Sequence, residues 1–298
     1  MSVPAAYLGV ILIWSTTPLA IQWSGADGNY LFGLTARMAI GLVVTIGLVS
    51  IMGRAIPRHK RAIWSYLIAG FGLFGAMTST YWAAQHIPSG LLSVIFGLSP
   101  VFTTIMSTLW LHEKRLSAYR VIAIFISLAG LAVIFLFDQT MSDIGIYGVV
   151  AVLFAVIIHS ATSVWIKRID TTLSPMALNG GSLMVALPLF VTCWFLFGNG
   201  VPVDVSVQSL WAIGYLGVVG SSIGFILYYY ILHHLSVTVI SLITLMTPVA
   251  ALWLGATFNH EVLGLNALIG TAFIMTGLVF FQINGIWRPN TKVARCES

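Results

Sequence analysis

Acidic, histidine and cysteine side chains are too scattered in this sequence to predict an active site or a metal site. The two His-Glu pairs, at 112–113 and 260–261, are not followed by a second histidine four residues on, so the zinc-protease pattern is absent. Cys193 and Cys296 are the two cysteines, which predicts neither a disulfide framework nor a metal cluster. We therefore expect no catalytic residue, no metal and no cofactor.

Arg37 is the one ionisable residue, histidine aside, that lies well inside an apolar segment. A guanidinium within the membrane costs roughly several kcal/mol unless it is paired, so such residues are functional candidates by default. The structural alternative is that Arg37 extends toward the membrane surface or hydrogen-bonds the carbonyls of a broken helix. Both interpretations stay open at this point.

Aromatic and polar side chains inside apolar segments are candidates for lining a substrate cavity. Ring faces can hold apolar groups or a cationic amine, although membrane proteins also place Trp and Tyr at the lipid–water interface. A histidine can exchange hydrogen bonds and take up a proton near pH 6.5, the alternative being a structural histidine with its hydrogen bonds satisfied. The predicted substrate-binding residues are Trp14, Ser15, Arg37, Tyr81, Trp82, His159, Tyr229 and Thr244.

Pro100 and Pro248 are predicted to interrupt two apolar helices near the middle of the membrane. Each proline lacks an N–H and so frees one backbone carbonyl. A structural kink is one interpretation and a hinge is the other. The neighbouring Ser99, Thr244 and Thr247 are candidates to hydrogen-bond the freed carbonyls or to face the substrate.

Long apolar segments must position all of these residues. The 298 residues are 59% hydrophobic and 7% charged, with a mean hydropathy of +0.99, whereas soluble domains are about 25% charged. A span takes roughly 20 apolar residues, which predicts an all-α integral membrane protein of ten transmembrane helices. The first segment lacks the basic region of a secretory signal and is interpreted as a span. The predicted spans are 4–22, 31–52, 63–84, 89–111, 118–137, 145–166, 176–197, 209–232, 237–258 and 263–285.

The placement of basic residues supports an even number of spans. Of the 13 Lys and Arg residues, all but Arg37 lie at alternate junctions, and the opposite junctions carry Asp and Glu instead. Because cytoplasmic loops collect Lys and Arg, we expect a multi-pass protein of the inner membrane with both termini in the cytoplasm. This sidedness also explains the net charge of +5, so nucleic-acid binding is not predicted.

Residues 81–113 resemble residues 229–261 at a constant offset of 148, without gaps. An offset of five helices reverses every element, so the halves 1–140 and 141–298 are predicted to be related by an axis in the membrane plane. Inverted repeats are typical of transporters that work by alternating access, and chance similarity of apolar helices is the alternative. The identical pairs are Tyr81/Tyr229, His86/His234, Ser93/Ser241, Ile95/Ile243, Pro100/Pro248, Val101/Val249, His112/His260 and Glu113/Glu261.

These repeated segments resemble the drug/metabolite transporter superfamily in its ten-helix form with two EamA-type halves. The resemblance is carried by residues 81–84, 100 and 112–116 and by the equivalent Tyr229, Pro248 and 260–263. It implies two inverted five-helix bundles, a central cavity between them, and transport of amino acids, related metabolites or drugs, often outward. The second copy departs from the pattern, because no basic residues follow Glu261. Glu113 and Glu261 are predicted at helix C-termini, where the helix dipole disfavours a carboxylate.

The sequence thus predicts a secondary transporter, in the direction of export, for an amino acid or related compound, or for an amine or drug. No ATP-binding loop is present, so a gradient, an exchange partner or a proton as coupling ion would drive transport. The expected partners are the small-molecule substrate and the lipid bilayer, with the chain as a monomer or weak dimer. An intramembrane enzyme and a passive facilitator or channel are the alternatives.

Overall fold

The computed structural model of the chain describes residues 2–27, 29–110, 118–137, 143–169, 173–198, 200–202, 204–235, 243–261 and 264–286. All secondary structure in these ranges is helical. The helices are α1 (Val3–Ser24), α2 (Tyr30–Ile51), α3 (Lys60–Ala83), α4 (Ser89–Phe96), α5 (Ser99–Trp110), α6 (Ala118–Phe137), α7 (Asp143–Ile169), α8 (Pro175–Phe197), α9 (Val207–Tyr215), a π-helical segment (Leu216–Gly224), α10 (Phe225–His234), α11 (Ile243–Phe258) and α12 (Leu265–Ile286).

These helices match the predicted spans. Seven helical stretches are long and apolar enough to cross a membrane, among them Ser89–Trp110, which combines α4 and α5, and Val207–Leu232, which combines α9, the π segment and α10. Three shorter apolar stretches, Val121–Val133, Met246–Phe258 and Leu265–Phe281, account for the remaining spans within the described residues. The prediction of an all-α membrane protein is confirmed.

Large apolar side chains cover the outside of the helices. Leu12, Val43, Phe125 and Trp211 are each more than 60% exposed. In water such a surface would cause aggregation, whereas in a bilayer it faces hydrocarbon, where backbone groups must be satisfied within helices. The polar side chains that carry the site lie on the inward faces.

The two halves interlock rather than lie side by side. Helix α6 packs on α12, α3 packs on α7, and α1 packs on α9, α10 and the π segment. These contacts form pairs that are equivalent when the first half is superposed on the second. The contact of α3 with α7 is equivalent to that of α10 with α1, and the contact of α5 with α7 is equivalent to that of α11 with α1. This pairing is the contact pattern that an inverted repeat requires.

Basic residues of distant segments lie at one end of the helices. Helices α3 and α7 are antiparallel, since Gly75 faces Ile158 while Ile87, just beyond α3, faces Gly148. The start of α3 at Lys60 therefore lies at the same end as Lys167. We call this the basic end, and the other end, where α1 finishes and α4 begins, the Glu261 end.

Candidate functional site

A cavity of about 150 Å³ lies between the halves, with walls from α1 to α5, α7, the π segment, α10 and α11. This volume is on the order of ten times the space that a single buried water requires, so a small solute fits. The lining reaches from Ile21 and Leu92 toward the Glu261 end to Ser107 and Lys167 toward the basic end. Both inverted halves contribute to it.

Three aromatic side chains from three helices meet in this cavity. The ring centroids of Trp14 and Tyr228 are 4.9 Å apart, those of Trp14 and His159 6.2 Å, and those of His159 and Tyr228 5.8 Å. The hydroxyls of Tyr228 and Ser163 lie 3.0 Å apart in a hydrogen bond. We call Trp14, His159 and Tyr228 the aromatic cluster, a surface that suits an apolar or aromatic group of a ligand.

Arg37 lines the cavity although only 1% of its surface is exposed. Its Nε donates to Ser221 Oγ at 3.0 Å and its Nη1 donates to Tyr81 Oη at 3.3 Å. The guanidinium carbon lies 5.6 Å from the centroid of the Tyr81 ring, and Ser24 Oγ also donates to Tyr81 Oη at 3.0 Å. The guanidinium is therefore held from two sides by neutral groups.

The π-helical segment brings Ser221 against Arg37. Such segments are rare and are frequent at functional sites. Close approach to α2 requires small residues, because a Cβ on Gly41 would lie 2.7 Å from the Cβ of Ser221, and one on Gly217 would lie 3.1 Å from the Arg37 carbonyl oxygen. The contact between α2 and the π segment thus sets the position of the guanidinium.

A buried polar network supports this contact from α8. Asn179 Nδ2 donates to the Ser221 carbonyl at 3.1 Å and to Thr45 Oγ1 at 3.1 Å. The Thr45 hydroxyl in turn donates to Ser222 Oγ at 2.9 Å. All four side chains are buried, so these hydrogen bonds stabilise the π segment from inside the protein.

The helix that contains Pro100 is interrupted by a turn at Gly97 and Leu98. Helix α4 ends at Phe96 and α5 begins at Ser99, so Pro100 lies in a first turn, where its missing N–H costs little. The Ser99 hydroxyl donates to the Phe96 carbonyl at 2.5 Å, the acceptor that an N–H of residue 100 would use. Pro248 lies inside α11. The hinge function of both prolines stays a prediction.

The Glu261 end of the cavity is crossed by hydrogen bonds between the halves. The Glu261 carboxylate accepts from Ser89 Oγ at 2.6 Å and from the Gly90 N–H at 3.2 Å, both at the start of α4. Asn259 Nδ2 donates to Gln22 Oε1 at 3.0 Å, and, within the first half, Gln22 Nε2 donates to the Ile87 carbonyl at 2.8 Å. We call Gln22, Ser89, Asn259 and Glu261 the Glu261 cluster.

The model of the EamA-like transporter family matches residues 3–136 and 146–282. The chain belongs to this family. Curated relatives agree across nearly the whole length: a Bacillus subtilis protein named as an uncharacterized transporter, YoaV, is 25% identical over 278 residues, which cover 91% of this chain and 93% of the relative. The inner membrane transporter YedA of Escherichia coli K12, also named as uncharacterized, is 24% identical and covers 97% of this chain and 93% of its own length.

One relative of this EamA-like transporter carries a substrate in its name. A Streptantibioticus cattleyicolor protein named as a probable terminal-alkyne amino-acid exporter is 23% identical over 91% of this chain and 93% of its own. A crystal structure at 23% identity superposes with a TM-score of 0.67 over 94% of this chain and 99% of its own, which shows the shared fold. The chain is thus a multi-pass inner membrane transporter of the EamA-like family.

The EamA-like transporter brings some of the predicted site residues together and leaves others apart. Trp14, Arg37, His159 and Pro100 line the cavity. Tyr81 does not line it but accepts a hydrogen bond from Arg37. Tyr229 does not line it either and packs against Tyr228, at 5.6 Å between ring centroids.

Two predicted residues point elsewhere, and a third is not described. The Ser15 hydroxyl donates to the Ile11 carbonyl at 2.7 Å instead of lining the cavity. Trp82 packs edge-on against His86 at 4.7 Å between centroids and does not line it either. The side chain of Thr244 lies outside the described part of the chain. Lining residues that were not among the predicted substrate-binding residues include Pro18, Phe96, Thr103, Phe225 and Tyr228.

Proposed function

We propose that this EamA-like transporter exports a small polar metabolite, with amino acids and related compounds as first candidates, by alternating access. The observation that supports this most directly is one solute-sized cavity built from both inverted halves, extending to the basic end and crossed by the Glu261 cluster at the other. With the termini and the basic end in the cytoplasm, such a cavity loads substrate from inside the cell. The name of the Streptantibioticus relative supports both the substrate class and the direction.

The halves 1–140 and 141–298 are the proposed moving units. Inverted repeats that exchange two packings close one side while opening the other. Pro100 and Pro248, at equivalent positions of the two halves, are the proposed hinges. In this scheme the Glu261 cluster holds the outer side closed while the cavity faces the cytoplasm.

A passive facilitator would use the same cavity, and an intramembrane enzyme would need reactive groups in it. Among the described lining residues none is Asp, Glu or Cys. The Ser163 hydroxyl donates to the backbone carbonyl of His159 at 2.9 Å rather than to its imidazole, so a serine–histidine pair for nucleophilic catalysis is not set up. The carrier interpretation therefore fits the lining better than catalysis does.

Counterflow in proteoliposomes tests the proposal. After a thermal-shift screen of amino acids, amines and nucleosides, since a ligand of the folded state raises the melting temperature, vesicles are loaded with the best ligand and given a trace of the labelled compound outside. We expect transient accumulation of label well above that in empty vesicles. Flux without stimulation by internal substrate would indicate a facilitator, and no flux of any compound in the screen would contradict transport of these classes.

Glu261→Gln is expected to loosen the outer closure. The amide keeps the size of the side chain but loses the charge that Ser89 Oγ and the Gly90 N–H donate to, and hydrogen bonds to a charged group contribute about 1.5–3 kcal/mol. We expect the labelling rate of a cysteine placed at Leu92, in a background without Cys193 and Cys296, to rise roughly ten-fold with an impermeant thiol reagent added outside.

The matched control is Asp204→Asn, which removes an exposed carboxylate outside the Glu261 cluster. Its labelling rate should equal that of the parent. An unchanged rate in the Glu261→Gln protein would show that the cluster does not hold this side closed.

A further inference from the structure

We infer that the substrate is a carboxylate with a large apolar or aromatic body, and that Arg37 binds its carboxylate. This inference rests on the proposed transport function and narrows its substrate class. It excludes the cationic amines and drugs that the sequence alone left open.

The charges of the cavity favour an anion. Among the described lining residues, Arg37 is a permanent cation, and none is Asp or Glu. Apolar and aromatic walls lower the local dielectric constant, which strengthens attraction to a carboxylate and repulsion of an ammonium group. A cationic substrate would meet no carboxylate among the described lining residues.

Arg37 has hydrogen-bonding capacity to spare. A guanidinium has five N–H donors, and in the described structure one goes to Ser221 and one to Tyr81, which leaves about three. No described carboxylate lies within ion-pair distance of it. Leaving a buried charge without a partner is strongly unfavourable, and a carboxylate that accepts two parallel N–H bonds from a guanidinium is the strongest common remedy. The substrate would supply this missing counter-charge.

The lining also indicates which groups the substrate carries. Arg37 and the aromatic cluster line the same cavity. A ligand that places its carboxylate at Arg37 and packs a ring on Trp14, His159 and Tyr228 must carry both groups in one molecule. An indole joined to a carboxylate by two or three carbons has both groups, whereas glycine and alanine have no ring.

The test uses the purified full chain and three probes that share one ring system. Tryptophan has a carboxylate and an amine, indole-3-propionate has the carboxylate alone, and tryptamine has the amine alone. We expect the first two to raise the melting temperature of the wild-type protein and to bind in calorimetry, and tryptamine to do neither. Tryptamine binding as tightly as tryptophan, or no binding of either carboxylate, would overturn the inference without any variant being needed.

Substitutions of Arg37 then test whether this residue binds the carboxylate of the ligand. Arg37→Gln should weaken indole-3-propionate by roughly 100-fold, the loss typical when one partner of a buried charged pair is removed. Arg37→Lys should weaken it less, because an ammonium keeps the charge but lacks the two-pronged geometry. Arg54→Gln removes an exposed cation at the basic end and should leave affinity unchanged. Wild-type affinity in Arg37→Gln would overturn the assignment.

The rise in melting temperature caused by the ligand separates binding from a structural function. If Arg37 serves only to hold Ser221 and Tyr81, the Arg37→Gln protein will melt below the wild-type protein, but indole-3-propionate will still raise its melting temperature by the same amount, which would overturn the inference. If Arg37 binds substrate, the rise caused by indole-3-propionate will be lost. Transport of tryptamine in the vesicles would overturn this inference and leave the proposed transport standing. Carboxylate binding without transport would do the reverse.

Discussion

Replacing Trp14 by alanine is expected to lower the counterflow rate at least ten-fold. The indole packs on Tyr228 and His159, and aromatic pairs contribute about 0.5–1.5 kcal/mol each beyond the area they bury. Its removal takes away the surface on which the ring of the substrate lies. Because Trp14 is half-buried beside a cavity rather than in a filled core, the melting temperature without ligand should change little. Rates in proteoliposomes and melting curves of the same preparation check both parts.

The matched control is Trp211→Ala, which removes an indole that is 76% exposed on the lipid side. It should transport like the wild-type protein. Wild-type counterflow in the Trp14→Ala protein would remove the aromatic cluster from the substrate site.

Gly41→Val is expected to abolish transport and to destabilise the protein. The added carbons would meet the Cβ of Ser221 at 2.7 Å and the Gly217 carbonyl oxygen at 3.3 Å, so α2 and the π segment must move apart. Overpacking of this kind costs about 1–3 kcal/mol, and it also withdraws Ser221 from Arg37. Melting temperature and calorimetric affinity for indole-3-propionate should fall together.

Gly47→Val on the same helix provides the comparison. A Cβ at Gly47 meets nothing within 4 Å, so this substitution has the same helix propensity without the clash. Its stability and binding should match those of the wild-type protein. Equal effects of the two substitutions would show that helix propensity rather than the contact with the π segment matters.

The membrane spans were predictable because lipid requires apolar side chains along the whole length of a span, and because Lys and Arg collect in the cytoplasmic loops. The same argument could not find the π segment or the end of α4 at Phe96. The π segment and the end of α4 differ from a regular α-helix only in which backbone hydrogen bonds form. The amino-acid composition of an apolar stretch does not show which of these hydrogen-bond patterns it adopts. Ser221 was therefore not among the predicted site residues, although it hydrogen-bonds the guanidinium of the one charged residue that the sequence singled out.

The internal repeat identified Tyr229 where Tyr228 lines the cavity. Successive residues of a helix point about 100° apart, so a pattern that finds the correct turn still has to find the correct face. Tyr81 and Tyr229 are identical in the two halves and both are buried behind the lining. Residues that are identical in the two halves of a repeat indicate packing that both halves need. The two halves line the cavity with different residues, which the repeat therefore does not identify. Ser15, next to Trp14, faces away from the cavity for the same reason.

The predicted conflict at Glu261 is resolved by a partner from the other half. A carboxylate at the C-terminal end of its own helix is disfavoured by the dipole. His260 adopts a φ of 50°, a left-handed turn that is uncommon for residues other than glycine. The following carboxylate accepts hydrogen bonds from the first residues of α4, the favourable end of a dipole. No local pattern contains this information, because Ser89 and Glu261 are 172 residues apart.

The interlocking of the halves has a consequence for biogenesis. Helices α3 and α6 are synthesised long before α7 and α12, the helices on which they pack, so the N-terminal half must wait in the bilayer with its inward faces against lipid. Contacts between residues so distant in sequence form late and slowly. A ribosome that stops after the fifth span would leave a fragment without its packing partners, a substrate for membrane quality control, whereas the missing half supplied as a separate polypeptide should rescue it.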